Sequence, residues 1–313
     1  MSSSTSACII IAAYNAKTTL ARAVRSALAE PEVTEVIVVD DASTDGTIDA
    51  ARSADDGSDR LKILVQPSNT GPSAARNRAI AESTSAWIGI LDADDFFLPG
   101  RIAKMLAFQD QADFIADNML QVDERAPDGM GKSLLDPLFT PKNITFTDFI
   151  VSNITRAGRE RGEMGFLKPL MRREFLTRHN LRYRESMRLG EDYELYTRAL
   201  ALGARFIIAP AQGYVSIIRA NSLSGKHSET DLLNLRECDR TLLTDLQLTL
   251  IEKKALRQHY LSIDCRLQWR LLILAVKSRN IGAALATFLR PYPVPLYLLK
   301  QLWLEALKRI SAL

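Results

Sequence analysis

The 313-residue sequence predicts an α/β fold, with a mostly parallel central sheet flanked by helices and an α-helical extension at the C-terminal end. The first observation behind this prediction is a regular alternation of short apolar runs, rich in isoleucine and valine, with stretches of helical periodicity. The second is that turn residues or polar clusters separate these segments. The third is a helical pattern from Leu232 onward, which Pro291, Pro293 and Pro295 interrupt.

In chain order, the first half of the sequence predicts four strands and three helices. The predicted strands are Cys8–Ala13, Val33–Asp40, Leu61–Gln66 and Trp87–Leu91, and the predicted helices are Thr18–Leu28, Thr47–Ala54 and Ala74–Ser83. We expect Asp45 to cap the second helix and Ser73 to cap the third. Strands and helices that alternate so regularly are typical of βαβ units, so the strands should pair in parallel.

The middle of the chain is less regular. It predicts strands at Phe114–Ala116 and Arg205–Ala209, a loop over Ala126–Pro141 and a helix at Glu191–Leu202. We expect residues 1–228 to form one domain with two halves, 1–112 and 113–228, and residues 229–313 to form the helical region.

The composition is that of an ordinary globular protein, because 47% of the residues are hydrophobic and 40 Lys and Arg face 37 Asp and Glu. It excludes a disordered chain, a collagen and a disulfide scaffold. Cys8, Cys238 and Cys265 form no CxxC or Cys/His cluster, so we expect no zinc site and a reducing cytosol. No signal peptide is predicted, because Met1–Ala13 has no basic n-region and its apolar run leads into a predicted strand. No membrane span is predicted, because basic residues interrupt the apolar C-terminal third.

Charge is unevenly distributed along the chain. Residues 1–100 contain 8 basic and 14 acidic residues, whereas residues 232–313 contain 13 basic and 6 acidic ones. Two solvated faces would explain this, as would a metal site near the N-terminus and a C-terminal region attracted to polyanions or anionic lipid. Aromatic residues interleave with the basic ones in the tail, which suits helices in a lipid headgroup region. Packing on the preceding domain or on a second copy is the alternative.

The strongest motif is Asp92-Ala93-Asp94, directly after the fourth predicted strand. Two carboxylates one residue apart can hold Mg²⁺ or Mn²⁺, which prefer oxygen ligands, beside a sugar hydroxyl. An Asp-rich turn that caps a helix is the alternative. Because ligands bind at the carboxyl ends of parallel strands, we expect this motif to converge with Tyr14-Asn15 and Asp40-Asp41.

Those two clusters suit a nucleotide. Asp41 can accept a hydrogen bond from the imide N–H of uracil, and Tyr14 offers a ring on which a base can stack. Arg76 can bring a positive charge to the same edge, whereas Arg78 should point elsewhere on helical spacing. Core packing of Tyr14 and a capping turn at Asp40 and Asp41 are the alternatives.

Four segments, in order, resemble the signatures of family 2 glycosyltransferases with the GT-A fold. They are Ala13-Tyr14-Asn15, Val38–Thr47, Asn69–Ala79 and Leu91–Asp95. The resemblance covers about residues 7–225 and is densest over 7–105, so the helical tail lies outside it. The sequence departs from the family at Ala12, where proline is common. In length and motif order it is similar to bacterial enzymes that build exopolysaccharide repeat units.

The resemblance implies an inverting, metal-dependent transfer of a sugar from a nucleotide diphosphate. UDP is favoured because Asp41 and Tyr14 suit uracil, and GDP and dTDP, which related enzymes use, are the alternatives. The donor-binding residues that it implies are Ala13, Tyr14, Asn15, Asp41, Arg76, Asp92, Ala93 and Arg219. The implied ligands of Mn²⁺ or Mg²⁺ are Asp94 and His227, although an isolated histidine in a polar loop is often only solvated.

Two further segments resemble the family's acceptor half. Gly190-Glu191-Asp192 is similar to its acidic pair, which makes Asp192 the catalytic base. Acids that stabilise the first turn of a helix are the compatible structural alternative. The segment from Arg219 to Ser224 resembles the loop that closes over the donor diphosphate, where Arg219 would neutralise phosphate charge and Ser222 and Ser224 would donate hydrogen bonds.

The expected acceptor is a hydroxyl of a saccharide or a lipid-linked saccharide, in bacterial exopolysaccharide or cell-surface glycan synthesis. We expect a cytoplasmic protein with peripheral contact to the inner face of the plasma membrane through its basic C-terminal helices. Nucleic-acid binding is not expected, and an oligomer is compatible with the sequence.

Two alternatives compete with sugar transfer. A sugar-nucleotide pyrophosphorylase would need a Gly-rich phosphate loop after the first strand, where this chain has Ala12 to Asn15. A non-catalytic polyanion-binding scaffold would have no use for three separated acids, Asp41, Asp94 and Asp192.

Overall fold

The computed structural model describes residues 5–125, 131–138, 140–154, 163–219 and 228–310. The chain divides into two compact units. Unit 1 comprises Met1–Asn153 and Ala157–Ser222, and unit 2 comprises Ile154–Arg156 and Leu223–Leu313. This division, like the one expected at residue 228, assigns the C-terminal helices to a unit of their own.

Unit 1 is an α/β unit. Its described strands are β1 (Ala7–Ala13), β2 (Val33–Asp40), β3 (Leu61–Val65), β4 (Trp87–Ile90), β5 (Phe96–Phe97), β6 (Phe114–Asp123), β7 (Lys132–Ser133), β8 (Lys142–Ile144), β9 (Leu170–Arg172) and β10 (Phe206–Ile218). Its described helices are α1 (Leu20–Leu28), α2 (Thr47–Arg52), α3 (Pro72–Glu82), α4 (Arg101–Leu106), α5 (Phe146–Ser152), α6 (Arg173–Arg178) and α7 (Glu191–Ala201).

All ten strands belong to one sheet, whose main path runs β3-β2-β1-β4-β9-β6-β10-β5. β1 pairs in parallel with β2 and β4, β2 with β3, and β6 with β10. β9 is antiparallel to both β4 and β6 and joins the two parallel groups. The mostly parallel sheet that the sequence predicts is confirmed.

β1 and the second half of β2 are continuous apolar runs, which suit strands covered on both faces. Most of β1 is fully buried, and β2 is buried from Val36 to Asp40. α1 buries Leu20, Val24 and Leu28 along one side, as its apolar spacing predicts.

Both predicted helix caps need correction. Gly46 occupies the N-cap position of α2, and Asp45 accepts a hydrogen bond from the Thr47 N–H (2.9 Å) from the position before it. Gly71 is the N-cap of α3, which starts at Pro72. Ser73 therefore lies inside the helix, where its buried hydroxyl donates to the Met187 carbonyl (3.1 Å).

Unit 2 is helical in its described part. Its helices are α8 (Glu229–Asp245), α9 (Leu250–Lys277), α10 (Ile281–Phe288) and α11 (Val294–Ile310). α8 and α9 each begin with a capping box. Pro291 and Pro293 lie between α10 and α11, as predicted, whereas Pro295 lies in the first turn of α11, which tolerates proline. Within the described residues, no helix combines the length and apolar character that crossing a bilayer requires.

Candidate active site

The carboxyl ends of β1, β2 and β4 lie side by side at one edge of the sheet. Ala13, the last residue of β1, pairs with Asp40, the last residue of β2, and Ile10 of β1 pairs with Ile90 of β4. The segments that begin at Tyr14, Asp41 and Leu91 therefore leave the sheet at the same edge. The structure brings these three polar clusters together, as the sequence predicts.

Asn15 joins the turn after β1 to the turn after β2. Its N–H donates to Ser43 Oγ (2.9 Å), and its Oδ1 accepts a hydrogen bond from the Thr44 N–H (2.9 Å). Ala13 is buried, whereas Tyr14 is 52% exposed. The ring of Tyr14 is therefore accessible for stacking against a planar ligand.

Asp41 is buried, and its carboxylate holds the turn that begins α3. Oδ1 accepts hydrogen bonds from Gln66 Nε2 (3.1 Å) and the Thr70 N–H (2.9 Å), and Oδ2 accepts one from the Gly71 N–H (2.8 Å). Gly71 has a φ of 90°, which glycine adopts without strain. Asp41 is thus at the predicted edge and supports α3, and Oδ2 retains the capacity to accept a further hydrogen bond.

α3 places Arg76 among the acids of the site. The side chain is buried, with Nη2 donating to Asp92 Oδ1 (3.0 Å) and Nη1 donating to Glu191 Oε1 (2.7 Å). Nη1 also lies 3.6 Å from Asp192 Oδ1. Arg78 donates to a backbone carbonyl of β3 instead, so it points away as predicted.

Lys168 completes this group of charges, and no sequence motif predicts it. Its buried Nζ lies 2.7 Å from Asp192 Oδ2 and 3.1 Å from Asp92 Oδ2. Its backbone carbonyl accepts a hydrogen bond from Arg101 Nη2 (2.7 Å), and Arg101 forms a buried, two-nitrogen ion pair with Asp117. The Arg101–Asp117 pair therefore fixes the segment that carries Lys168.

We call Arg76, Lys168, Asp92, Glu191 and Asp192 the charge cluster. Burial alone would raise the pKa of Asp92, but Lys168 and Arg76 outweigh it and hold that pKa below its usual value. Burial alone would lower the pKa of Lys168, but the carboxylates of Asp192 and Asp92 raise it. Burial raises the pKa of Glu191 against the opposing charge of Arg76. Lys168 and Arg76 are therefore cations at neutral pH, and Asp92 is an anion.

Asp192 lies in the first turn of α7, which begins after Gly190 in the left-handed conformation (φ 78°). Lys168 Nζ donates to its Oδ2, whereas its buried Oδ1 makes no hydrogen bond with any described residue. Arg76 Nη1, at 3.6 Å, balances the charge of Oδ1 but lies beyond hydrogen-bond distance, so this oxygen retains the capacity to accept a hydrogen bond. Such an oxygen can accept the proton of a hydroxyl group that comes within hydrogen-bond distance.

Asp95 connects the acidic stretch Asp92–Asp95 to β10 through hydrogen bonds. It is buried and accepts hydrogen bonds from the Tyr214 hydroxyl (2.9 Å) and the Ile217 N–H (2.8 Å). The Tyr214 oxygen in turn accepts a hydrogen bond from the Asp92 N–H (3.1 Å). Burial, and then the charges of the neighbouring acids, raise the pKa of Asp95 to about 8. β10 therefore holds Asp92 and the half-buried Ala93 in place.

Asp94 is the acid of this stretch that can hold a cation. Its half-exposed carboxylate accepts a hydrogen bond from Arg219 Nη1 (3.0 Å). Burial and the charge of Asp92 raise the pKa of Asp94, although Arg219 opposes them. The carboxylate is thus short of positive charge, which a divalent cation would supply.

Few of the described side chains could serve as ligands of such a cation. The described residues contain no group of three or more His, Cys, Asp or Glu side chains that could hold a metal ion. The predicted ligand His227 lies outside the described residues, as do Ser222 and Ser224. Asp94 fits a cation of the Mg²⁺ type, which commonly takes one or two carboxylates and completes its shell with phosphate oxygens and water.

Comparisons with known proteins identify the family and the fold of the chain. The family model of glycosyl transferase family 2 matches residues 8–185. The succinoglycan biosynthesis protein ExoU of Rhizobium meliloti is 50% identical over 281 residues, which are 90% of this chain and 82% of that protein.

Two solved structures share the architecture. Residues 1–349 of S. aureus TarS, in complex with UDP-GlcNAc, match with a TM-score of 0.65 at 17% identity, over 90% of both chains. The mannosyltransferase PcManGT of Pyrobaculum calidifontis, in complex with GDP-Man and Mn²⁺, matches with a TM-score of 0.58 at 18% identity, over 96% of this chain and 85% of that one. These likenesses show the fold, which is GT-A.

The matched residues 8–185 are more than half of the chain and contain most of the residues at the sheet edge, including Asp92, Asp94 and Lys168. The succinoglycan biosynthesis protein ExoU is similar over 90% of this chain. The chain therefore belongs to glycosyl transferase family 2.

Proposed function

We propose that this enzyme transfers a sugar from a UDP-sugar to a hydroxyl of a saccharide or lipid-linked saccharide, with inversion, in bacterial exopolysaccharide synthesis. The observation that carries the proposal is Lys168 between Asp92 and Asp192, because it joins an acid of the donor motif to an acid of the acceptor half. Family membership favours this reaction over the pyrophosphorylase and the scaffold. The similarity to a succinoglycan biosynthesis protein supports the exopolysaccharide assignment.

The donor site is the edge formed by the ends of β1, β2 and β4. The exposed ring of Tyr14 would stack on uracil, and the remaining acceptor capacity of Asp41 Oδ2 would take its imide N–H. Arg76 and Asp92 would contact the nucleotide and its sugar. Both solved neighbours were captured with a nucleotide sugar, which supports a donor of this chemical class.

Asp94 would hold Mn²⁺ or Mg²⁺ beside the donor diphosphate. When bound, the cation takes up negative charge that develops on the departing phosphate oxygen. Arg219, which pairs with Asp94 and Glu124, would contact a phosphate of the donor.

Asp192 would remove the proton of the acceptor hydroxyl. Lys168 holds Oδ2, so Oδ1 is the oxygen left to receive that proton. The hydroxyl oxygen then attacks the anomeric carbon from the side opposite the diphosphate, and a direct displacement of this kind inverts the configuration. Lys168 and Arg76 remain charged throughout and keep the carboxylate in position.

Two variants distinguish the role proposed for Asp94, metal binding, from the role proposed for Asp192, removal of the hydroxyl proton. We expect Asp94→Asn to lose metal-dependent transfer and donor hydrolysis together, because both need the cation. We expect Asp192→Asn to lose transfer by about 10²–10⁴-fold, the usual contribution of a general base, while calorimetry shows unchanged UDP affinity. A collapse of UDP affinity in Asp192→Asn would show that Asp192 acts in donor binding instead.

A lipid-linked acceptor would be reached at a membrane surface. We therefore place the enzyme in the cytoplasm, with peripheral contact to the inner face of the plasma membrane through unit 2. The excess of basic residues in the C-terminal helices supports this contact.

A further inference from the structure

Unit 2 exposes large apolar side chains on its last two helices. They are Ile281, Leu285 and Leu289 of α10 and the residue after it, and Leu296, Leu299 and Trp303 of α11. Leu289 is 85% exposed and Trp303 is 63% exposed. Apolar residues exposed singly are common on proteins, whereas six of them on two consecutive helices call for an explanation. We call these six residues the α10–α11 surface.

α11 is apolar on two opposite sides. Val294 and Leu298 are fully buried and belong to a core cluster with Cys265 and Leu272 of α9. At 3.6 residues per turn, Leu296, Leu299 and Trp303 lie on the other side of the helix from Val294 and Leu298. A helix of a water-soluble unit needs the first apolar side only, so the second one serves a contact that unit 2 does not itself provide.

The charges around this surface are nearly all positive. After Cys265 the chain contains eight Lys and Arg residues and one acid, Glu305. Lys277, Arg279 and Lys300 are exposed and form no ion pair with another described residue. Glu305 is already paired with Lys308 (2.9 Å). Exposed apolar side chains among unpaired basic ones are typical of helices that lie in a membrane interface.

We infer that the α10–α11 surface binds an anionic lipid bilayer, and this deepens the membrane contact of the proposed function by naming the residues that make it. The apolar side chains enter the interfacial layer, while the basic side chains reach the lipid phosphates. A second copy of the chain fits less well, because a symmetric contact would bring like charges together with one acid per copy to compensate them.

Vesicle flotation of the full chain tests this inference. We expect the protein to float with vesicles of phosphatidylcholine and phosphatidylglycerol, and to float much less with phosphatidylcholine alone or at high salt. The double variant Leu289→Glu with Trp303→Glu should lower the bound fraction by roughly tenfold or more, since it removes apolar area and adds negative charge.

A matched control exists at the start of α9. Leu250 and Ile251 are 87% and 71% exposed but lie outside the α10–α11 surface. Leu250→Glu with Ile251→Glu should float like the unchanged protein, and circular dichroism should show the same helix content in both double variants. Donor hydrolysis with soluble UDP-sugar should also be unchanged in both, which separates lipid binding from the transfer reaction.

The inference is overturned if the unchanged protein does not float with anionic vesicles, or if both double variants lose flotation equally. It is also overturned if Leu289→Glu with Trp303→Glu converts a dimer to a monomer in sedimentation experiments while flotation is unaffected. The conversion of a dimer to a monomer would assign the surface to another copy of the chain.

Discussion

The two units depart from ordinary residue burial in opposite directions. Unit 1 buries charged side chains, such as Arg76 and Lys168, whereas unit 2 exposes large apolar ones, such as Leu289 and Trp303. Both arrangements cost free energy compared with the usual distribution. In unit 1 the buried charges have opposite charges as partners within the same unit, which points to chemistry inside it. In unit 2 no apolar partner covers the exposed side chains within the described part of the unit, which points to a contact outside it.

The largest effect should come from breaking a buried ion pair of unit 1. We expect Arg101→Met to lower the free energy of unfolding by about 3–5 kcal/mol, because Asp117 then stays buried without its cation. Urea unfolding followed by circular dichroism measures the loss.

A second substitution serves as the control for that result. Adding Asp117→Asn removes the unpaired charge and keeps an acceptor for the Gly213 N–H, so the double variant should be more stable than Arg101→Met alone. Equal stability of the single and double variants would contradict the role we give to the buried charge.

The next effect compares two neighbouring leucines of α11. Leu298 is fully buried and Leu299 is exposed. We expect Leu298→Ala to destabilise unit 2 by about 3 kcal/mol, and Leu299→Ala to change its stability by less than about 0.5 kcal/mol. Hydrogen exchange of the amides of α9 and α11 measures both. A similar loss of protection in Leu299→Ala would mean that its side chain packs within unit 2.

The smallest effect concerns Lys168. We expect Lys168→Met to lower kcat/KM by about 100-fold, because Asp192 loses the donor that orients Oδ2. The acid limb of the pH–rate profile should also move to higher pH, since Lys168 holds the pKa of Asp92 below its usual value and its removal lets that pKa rise.

Lys62 provides the matched control for Lys168. It makes an ion pair of similar length with Glu82 (2.6 Å), but both side chains are about half exposed. Lys62→Met should leave kcat/KM and the pH profile unchanged. If Lys168→Met only lowers the melting temperature, with the pH profile unmoved, Lys168 is structural.

The sequence predicted the apolar strands well and the polar ones poorly. Val33–Asp40 has the bounds of β2, and the apolar run at its centre, Val36–Val39, is buried. The strand predicted at Phe114–Ala116 continues to Asp123 as β6. Asp117 and Asn118 end the apolar run. They are nevertheless buried in the strand, because Asp117 pairs with Arg101 and Asn118 forms hydrogen bonds with the backbone of Leu135.

β10 was also predicted too short. Pro210 and Gly213 lie where the sequence indicates the end of a strand, at Arg205–Ala209. The strand instead continues to Ile218, and its pairing with β6 accommodates these residues by shifting register twice. Local turn signals were outweighed by pairing with a strand about ninety residues earlier in the chain, which no local pattern shows.

The site shows the same limit. Asp92 and Asp192 lie in acidic motifs at the ends of predicted elements, so they could be found from the sequence. Lys168 stands between Leu167 and Pro169 with no motif around it, and one of its partners is 24 positions away. A lysine in an apolar stretch is its only sequence signal, because a buried ammonium group needs a carboxylate nearby.

The ion pair between Arg76 and Glu191 spans 115 positions of the chain. Hybrid enzymes made by exchanging one half of unit 1 between relatives would inherit Arg76 from one parent and its acidic partners from the other. Unless both parents carry matching charges, such a hybrid would contain an unneutralised ion in its interior. Engineering of new acceptor preferences in this enzyme should therefore replace peripheral loops and take every residue of the charge cluster from a single parent.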